Sequence, residues 1–411
     1  MVMGMESFKF IFTSSFYPPY HIGGADIHVY YLAEELVKRG HEVHVLHSLD
    51  AYRVKRGKEQ FEATKSGAIV HQIETPFSVS SYATYLLGAS RAVTRHFANL
   101  IKQVRPDIVH HHNVSLLGYD ILARRGNYVN LYTAHDFWLI CPNSTLLRRG
   151  LQPCVSASCV FCNLSFNRPP QLWRYKEAFG NAIKDLDVLI APSSYAAEKI
   201  AGKLNINAIM IPNFVPNPPA SIQSSGFSNF FLYAGRLENY KGVLQLVEAF
   251  KQLDRRPNFR LVIVGTGSLE GKMRQWIERN GLSNRISQFG WMHQSLLYEF
   301  LNDAEALIVP SISPENCPLI VLEALSLGTS VIASRMGGLP EIINKVDKHL
   351  LFQSCDELVE ILSHFQGKDH LSHRAKQVYQ EYYSPDVFLK KYLALVKERS
   401  AANRSRVMDR S

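Results

Sequence analysis

No apolar run in this 411-residue chain reaches the roughly 18 residues that a membrane-crossing helix needs. The opening MVMGMESFKFIF lacks the layout of a secretory signal, so the expectation is a soluble protein on the cytoplasmic side, either free or peripheral on the inner face of the membrane. Low-complexity tracts are also missing, which excludes fibrous and disordered classes. The formal charge of +9 is not gathered into a basic tract interleaved with aromatics; nucleic acid is therefore not an expected partner, and anionic substrates or an anionic membrane surface fit better. Cysteines number only six, and in a reducing compartment they are free thiols or metal ligands rather than disulfides. The turn from Gly265 to Glu270 has two glycines of a dinucleotide fingerprint but Glu270 in place of the third, so NAD binding is not supported.

What is present alternates strand and helix. Phe8 to Phe12 reads as a buried strand, TSSFYPPYHIGG as a glycine-ended loop, ADIHVYYLAEELVKRG as an amphipathic helix and HEVHVLHS as a second strand. Further strands are expected in PDIVHHHN, VNLYTAHDFW, DVLIA and AIMIP, and the second half repeats the pattern from FFLYAG to ALIVP. This is the signature of doubly wound α/β domains, which bind ligands at the carboxyl ends of their strands. The chain divides into residues 1–216, a Pro/Ser/Gly-rich linker at 217–227 and a second domain at 228–383. A closing helix at 384–400 and a polar, frayed tail at 401–411 follow.

The most informative stretch runs from Ala306 to Ile343. ALIVP reads as a buried strand, SISPEN as a turn, and a helix is expected from about Asn316 or Cys317 with Pro318 in its first turn and Gly328 as its stop. That helix is apolar nearly all round, so Glu323 inside it is anomalous. Glu315 waits at its mouth, and the amides of Leu319 and Ile320 between them suit a phosphate. The alternative is that Glu323 pairs with a nearby cation and Glu315 is a solvated turn residue.

This E-x7-E pattern, followed by Gly337-Gly338, resembles the signature of the retaining GT-B glycosyltransferases usually numbered family 4. The resemblance implies two Rossmann-like domains facing each other across a deep cleft. Its activity would be transfer of a sugar, with retention, from a nucleotide-diphosphate donor to a glycan or lipid-linked acceptor in polysaccharide or glycoconjugate biosynthesis. It implies that Glu315 contacts the donor sugar, that Glu323 holds the ribose, and that the backbone of Asn316, Cys317, Leu319 and Ile320 takes the diphosphate. Gly235 to Gly242 is similar to the family's G-R-L-x-x-x-K-G donor-phosphate motif, which assigns Arg236 and Lys241 to the leaving diphosphate. By the same resemblance Gly23 and Gly24 face the donor, Gly265 lies near the base, His135 of the H-D-x-W segment reaches the sugar, and no cofactor is required for catalysis. The last helix would cross back onto the first domain. Two departures stand out: Asn316-Cys317-Pro318 replaces a Gly-rich run, and Tyr240 replaces an acidic residue. The competing readings are a non-catalytic scaffold or metal-binding module on this fold, and a sugar-nucleotide epimerase or phosphorylase.

Three features fall outside that signature. Cys141, Cys154, Cys159 and Cys162, in an insertion near 141–168, have the spacing C-x12-C-x4-C-x2-C. It fits a structural zinc, free thiols or, third, an iron–sulfur cluster. Ser78 to Arg105 reads as one long helix with Leu86, Ala89, Val93, Phe97, Leu100, Ile101 and Val104 on one face. Its basic side, with Arg91, Arg95 and Lys102, either faces solvent or rests on an anionic membrane. His110 and His111 read as packing or surface residues, and Arg148, Arg149 and Arg168 as solvated or facing an anionic acceptor.

Overall fold

The computed structural model describes residues 7–56, 65–75, 79–149, 151–155, 158–253 and 259–408. Its first sheet holds seven parallel strands: β1 (Lys9–Thr13), β2 (Glu42–Ser48), β3 (Ile69–Ile73), β4 (Ile108–His111), β5 (Val129–Thr133), β6 (Val188–Ala191) and β7 (Ala208–Met210), in the order β3-β2-β1-β4-β5-β6-β7. The second holds six: β8 (Phe230–Ala234), β9 (Arg260–Val264), β10 (Ile286–Phe289), β11 (Ala306–Val309), β12 (Ser330–Ser334) and β13 (Leu351–Phe352), in the order β10-β9-β8-β11-β12-β13. Strands such as Phe10-Ile11-Phe12 and Leu307-Ile308 are buried on both faces, the pattern of parallel strands covered by helices on each side. Strand order reverses between β1 and β4 and again between β8 and β11. Crevices open there because the loops leave in opposite directions.

Between β7 and β8 the chain carries no helix or strand over residues 211–229. Phe214 and Val215, just before the linker expected at 217–227, are buried. The expected helix from Ser78 to Arg105 is two helices, Val79–Leu87 and Arg91–Val104; Ser78 itself lies outside the described residues. Gly88 takes φ +77° against the ring of Trp173, and Ser90 caps the second helix by accepting from the amide of Val93. Val93, Phe97, Leu100, Ile101 and Val104 are buried as expected, but Leu86, before the break, is exposed. Strands β3 and β13 and the helix Leu49–Arg56 have no counterpart in the sequence reading. β3 presents polar and exposed positions at a sheet edge, and β13 is only two residues long.

The last helix, Pro385–Met408, runs past the expected end at residue 400, since no glycine or proline interrupts ERSAANRSRVM. Residues 409–411 of the expected frayed tail lie outside the described residues. The helix returns to the first domain. Phe388 packs on Phe214 and His28, Tyr392 stacks on Phe388 and His110, and the hydroxyl of Tyr392 and Nδ1 of His110 hydrogen-bond at 2.9 Å. Through these rings one apolar core is continuous from the second sheet to one face of the first, while Ile11, Val109 and Tyr132 join a separate cluster on the other face. No helix among the described residues is long and apolar enough to cross a membrane. Replacing Phe388 with Ala empties the junction of helix, linker and first domain and should cost roughly 3 kcal/mol, read as a lower urea midpoint; an unchanged midpoint would show that the two domains do not share this core.

Candidate active site

In the second domain the loops after β8 and β11 are sewn together. The amides of Ile312 and Ser313 both donate to the carbonyl of Tyr240, at 2.9 and 3.1 Å. Gly242 follows at φ +73°, where a Cβ would stand 1.7 Å from the carbonyl oxygen of Pro310. Lys241 is thereby aimed at Glu315: its Nζ donates to Oε1 at 2.6 Å, and Ser311 Oγ donates to the same oxygen at 2.5 Å. Burial alone would raise the Glu315 pKa, but the Lys241 ammonium, both hydrogen bonds and nearby Arg236 hold it below the ordinary value. The opposite side of this turn is closed by two glycines. Gly337, at φ +63°, bridges Glu315, and a Cβ on Gly338 would stand 2.1 Å from the Asn316 carbonyl oxygen.

The helix opens at Leu319, with Pro318 in an extended conformation as its cap, rather than at Asn316 or Cys317. A proline in the interior would lack a donor, so the extended segment continues to Pro318. Gly328 ends the helix at φ +85°. Its first amides, Leu319 and Ile320, have no backbone partner among the described residues, as at any helix start. Across the cleft the helix Gly24–Lys38 also begins here: a Cβ on Gly24 would lie 3.5 Å from the Leu319 side chain. Two helix N-termini, each with partial positive charge, face one space. Behind Gly23, the buried carboxyl of Asp26 accepts from the amides of Ile22 and Gly23 at 3.0 and 3.2 Å, and burial outweighs those bonds to push its pKa up to about 7.

Glu323 is buried, and among the described residues no cation pairs with it. Gln294 donates to its Oε1 at 3.1 Å, and the same Nε2 reaches the hydroxyls of Tyr298 and, from the first domain, Tyr31. Burial raises the Glu323 pKa from 4.5 to about 7, only partly offset by that hydrogen bond. The ion pair foreseen as an alternative for Glu323 is instead made by Glu315.

His135 stands past the end of β5, its Nε2 3.0 Å from Nδ1 of His112. Asn316 Nδ2 donates to the His135 carbonyl oxygen at 2.9 Å, and Asn213 Nδ2 donates to that of Cys317 at 2.8 Å. The Asn316 side chain therefore ties the domains together. Cys317 is buried, with its thiol pushed up to about 12 by burial, so only its backbone is available to a ligand. Gly265, at φ +137°, has no room for a Cβ because the Gly235 carbonyl oxygen lies 2.0 Å from that position; it lets the Arg236 loop cross β9. Arg236 is exposed, over the ring of Tyr240 at 5.5 Å. His110 and His111 are fully buried packing residues, His111 bonding the Thr13 hydroxyl at 2.7 Å. Asp26, Ser311, Gln294, Tyr31 and Asn213 were not singled out from the sequence. Only the polar SISPEN turn, and Asp26 three residues after Gly23, offered any signal.

The four cysteines of the insertion are reduced and only Cys141 among them is buried. Among the described residues no three His, Cys, Asp or Glu side chains stand where they could hold one metal ion. The four thiols nevertheless lie close enough to act on one another, Cys141 and Cys154 both acting on Cys159 and Cys162.

A two-domain α/β protein with its polar residues converging between two strand-order reversals is a GT-B architecture. Residues 22–217 match the family described as Glycosyltransferase Family 4 and residues 219–379 that described as Glycosyl transferases group 1, so the chain belongs to the group 1, family 4-like glycosyltransferases. It is 23% identical to an uncharacterised glycosyltransferase of Methanocaldococcus jannaschii over 93% of this chain and 96% of that protein. It is 25% identical to the glycogen synthase of Mycobacterium tuberculosis over 82% and 80%. Among solved structures, sucrose-phosphate synthase from Thermosynechococcus elongatus superposes with a TM-score of 0.72 at 18% identity over 97% of this chain and 100% of that one. Anabaena HepE in complex with UDP and glucose gives 0.65 at 16%, over 95% and 100%.

Two pH effects follow. Burial holds His28, His110, His112 and His135 below the ordinary 6.5, His135 at about 3. The unfolded chain takes up these protons as pH falls through 6.5 while the fold does not, so stability is lost below that pH, by up to about 1.4 kcal/mol per pH unit for each histidine. A urea midpoint no lower at pH 5.5 than at 7.5 would contradict this. Glu323 acts in the opposite sense: its folded pKa is the higher one, so stability falls as pH rises from 4.5 to about 7. Glu323→Gln should therefore gain on the wild type across that window, by up to about 3 kcal/mol.

Proposed function

We propose that this glycosyltransferase moves a sugar from a nucleotide-diphosphate donor to a hydroxyl of a glycan or lipid-linked acceptor, with retention at the anomeric carbon. The observation that carries the reading is the Lys241–Glu315 pair at 2.6 Å, at the mouth of the Leu319–Leu327 helix and opposite Gly24 and His135. The diphosphate would lie on the amides of Leu319 and Ile320, with Arg236 and Lys241 meeting the charge that grows on it as the sugar bond breaks. Lys241 would then turn from Glu315 toward phosphate and free Oε1. Because Glu315 is ionised it can only accept, which suits it to orient sugar hydroxyls and not to donate a proton. Glu323, beside Gln294, would accept from the ribose, and Gly23 and His135 would close the sugar from the first domain. The proton of the acceptor hydroxyl would pass to the departing diphosphate oxygen. Support for the donor class comes from similar structures described with UDP and glucose and with ADP and acarbose.

The test is thermal stabilisation against UDP, GDP, ADP and CMP, with anomeric configuration of the product read by NMR. One diphosphate at about 100 times its dissociation constant should add about 2.7 kcal/mol of stability. Arg236→Ala should lose that gain; Glu315→Ala should keep most of it and lose transfer by at least about a hundredfold. Stabilisation by none of the four would favour a scaffold, and donor hydrolysis or isomerisation without acceptor would favour epimerase-like chemistry.

A further inference from the structure

We infer that one face of the first domain docks on an anionic lipid bilayer. Three elements build this face: the helix Val79–Leu87, the helix Cys159–Ser165 and the turn Leu172–Tyr175. They are tied together, since the Tyr85 hydroxyl and Asn163 Nδ2 both donate to the carbonyl of Pro169, at 3.3 and 3.4 Å, and the Trp173 indole donates to the carbonyl of Tyr85 at 3.0 Å. Gly88 makes room for the Trp173 ring, which would lie 2.5 Å from any Cβ there. On the outside stand Tyr82, Leu87, Phe161, Leu164, Leu172 and Tyr175, each more than half exposed, at 60, 66, 74, 53, 59 and 63%. Single exposed apolar residues are ordinary, as Trp291 is elsewhere in this chain. Six on three interlocked elements make a patch that water solvates poorly.

Charge selects the occupant. The sequence has no carboxylate between Glu74 and Asp107, nor between Asp136 and Glu177, and these stretches supply the whole face. They do supply exposed cations, Arg91, Arg168 and Lys176. A second copy meeting this face by a twofold axis would set Arg91, Arg168 and Lys176 against like charge, with only the exposed Glu177 at its border to pair. The leucines neither stack on bases nor reach phosphates, which disfavours nucleic acid. Leucine and aromatic side chains inserted at headgroup depth, ringed by Arg and Lys, are what an anionic bilayer retains.

Arg168 also marks where the face meets the cleft. It lies close enough to Lys55 and Tyr240 to act on both, and Arg236 acts on the same two residues. The cleft mouth would thus open at the membrane, where a lipid-linked acceptor would be presented; that last step rests on the proposed function, whereas the docking does not.

The experiment is flotation of the full chain with vesicles of equal parts phosphatidylglycerol and phosphatidylcholine, and with phosphatidylcholine alone, at about 0.05 and about 0.5 M salt. The wild type should float with the anionic vesicles at low salt, and weakly or not at all otherwise. Leu87→Ser/Phe161→Ser and, separately, Arg168→Glu/Lys176→Glu should each weaken binding by about tenfold or more. The first variant should keep the nucleotide-dependent thermal shift, so failure of docking is told apart from failure of the donor reading. The inference is overturned if the wild type does not float, if both variants float like it, or if the wild type is a dimer that Leu87→Ser/Phe161→Ser converts to a monomer.

Discussion

A carboxylate drawn out of water at Glu315 is the constraint on which the cleft depends. It stays ionised chiefly because Lys241, arriving from the neighbouring strand's loop, supplies a cation at 2.6 Å, with the Ser311 hydroxyl and Arg236 assisting. That meeting requires the two loops to cross at Tyr240, Gly242 to take a left-handed turn against Pro310, and Gly337 and Gly338 to leave the Glu315–Asn316 backbone room. The same backbone then leads into the helix Leu319–Leu327, whose first amides face the first domain. Displacing Glu315 would therefore disturb the cation, the helix start and the interdomain bonds of Asn316 together.

The domains are joined by two kinds of contact. Away from the cleft the joint is apolar, built on Phe214, Phe388 and Tyr392. At the cleft it is polar and directional: Asn316 to the backbone of His135, Asn213 to that of Cys317, and Glu341 accepting from the amides of Ser194 and Tyr195, both at 2.8 Å. Glu341 takes the N-terminus of the helix Ser194–Leu204, a favourable place for a carboxylate. Burial lowers the pKa of the four histidines near the first contact, so the first domain presents imidazoles that remain uncharged at neutral pH, with positive charge supplied from Arg236 and Lys241 opposite.

Much of this was legible along the chain because it follows from local rules. Apolar runs ending in glycine or polar turns marked the strands at the centre of both sheets, and the all-apolar helix made Glu323 conspicuous. Where the reading failed, the deciding partner lay far away in sequence. The break at Gly88 answers to Trp173. β3 and β13 are too short or too polar to announce themselves and exist by pairing with β2 and β12. Cysteine spacing left zinc, free thiols and a cluster open, and folding brings the four thiols close enough to act on one another.

Whereas the cations and glycines of the cleft were expected from the resemblance to a known family, composition and periodicity were enough for two parallel α/β domains and for the anomaly of Glu323 in an apolar helix. Those properties repeat every two or every 3.6 residues and need no distant neighbour to be recognised. Whether Glu315 or Glu323 would find the cation, whether Asn316 would serve a ligand or the other domain, and which apolar side chains would stay uncovered were settled by folding alone. Each of these is a contact between residues separated by tens or hundreds of positions, and the free energy of such a contact exists only once the sheets have brought its two ends together.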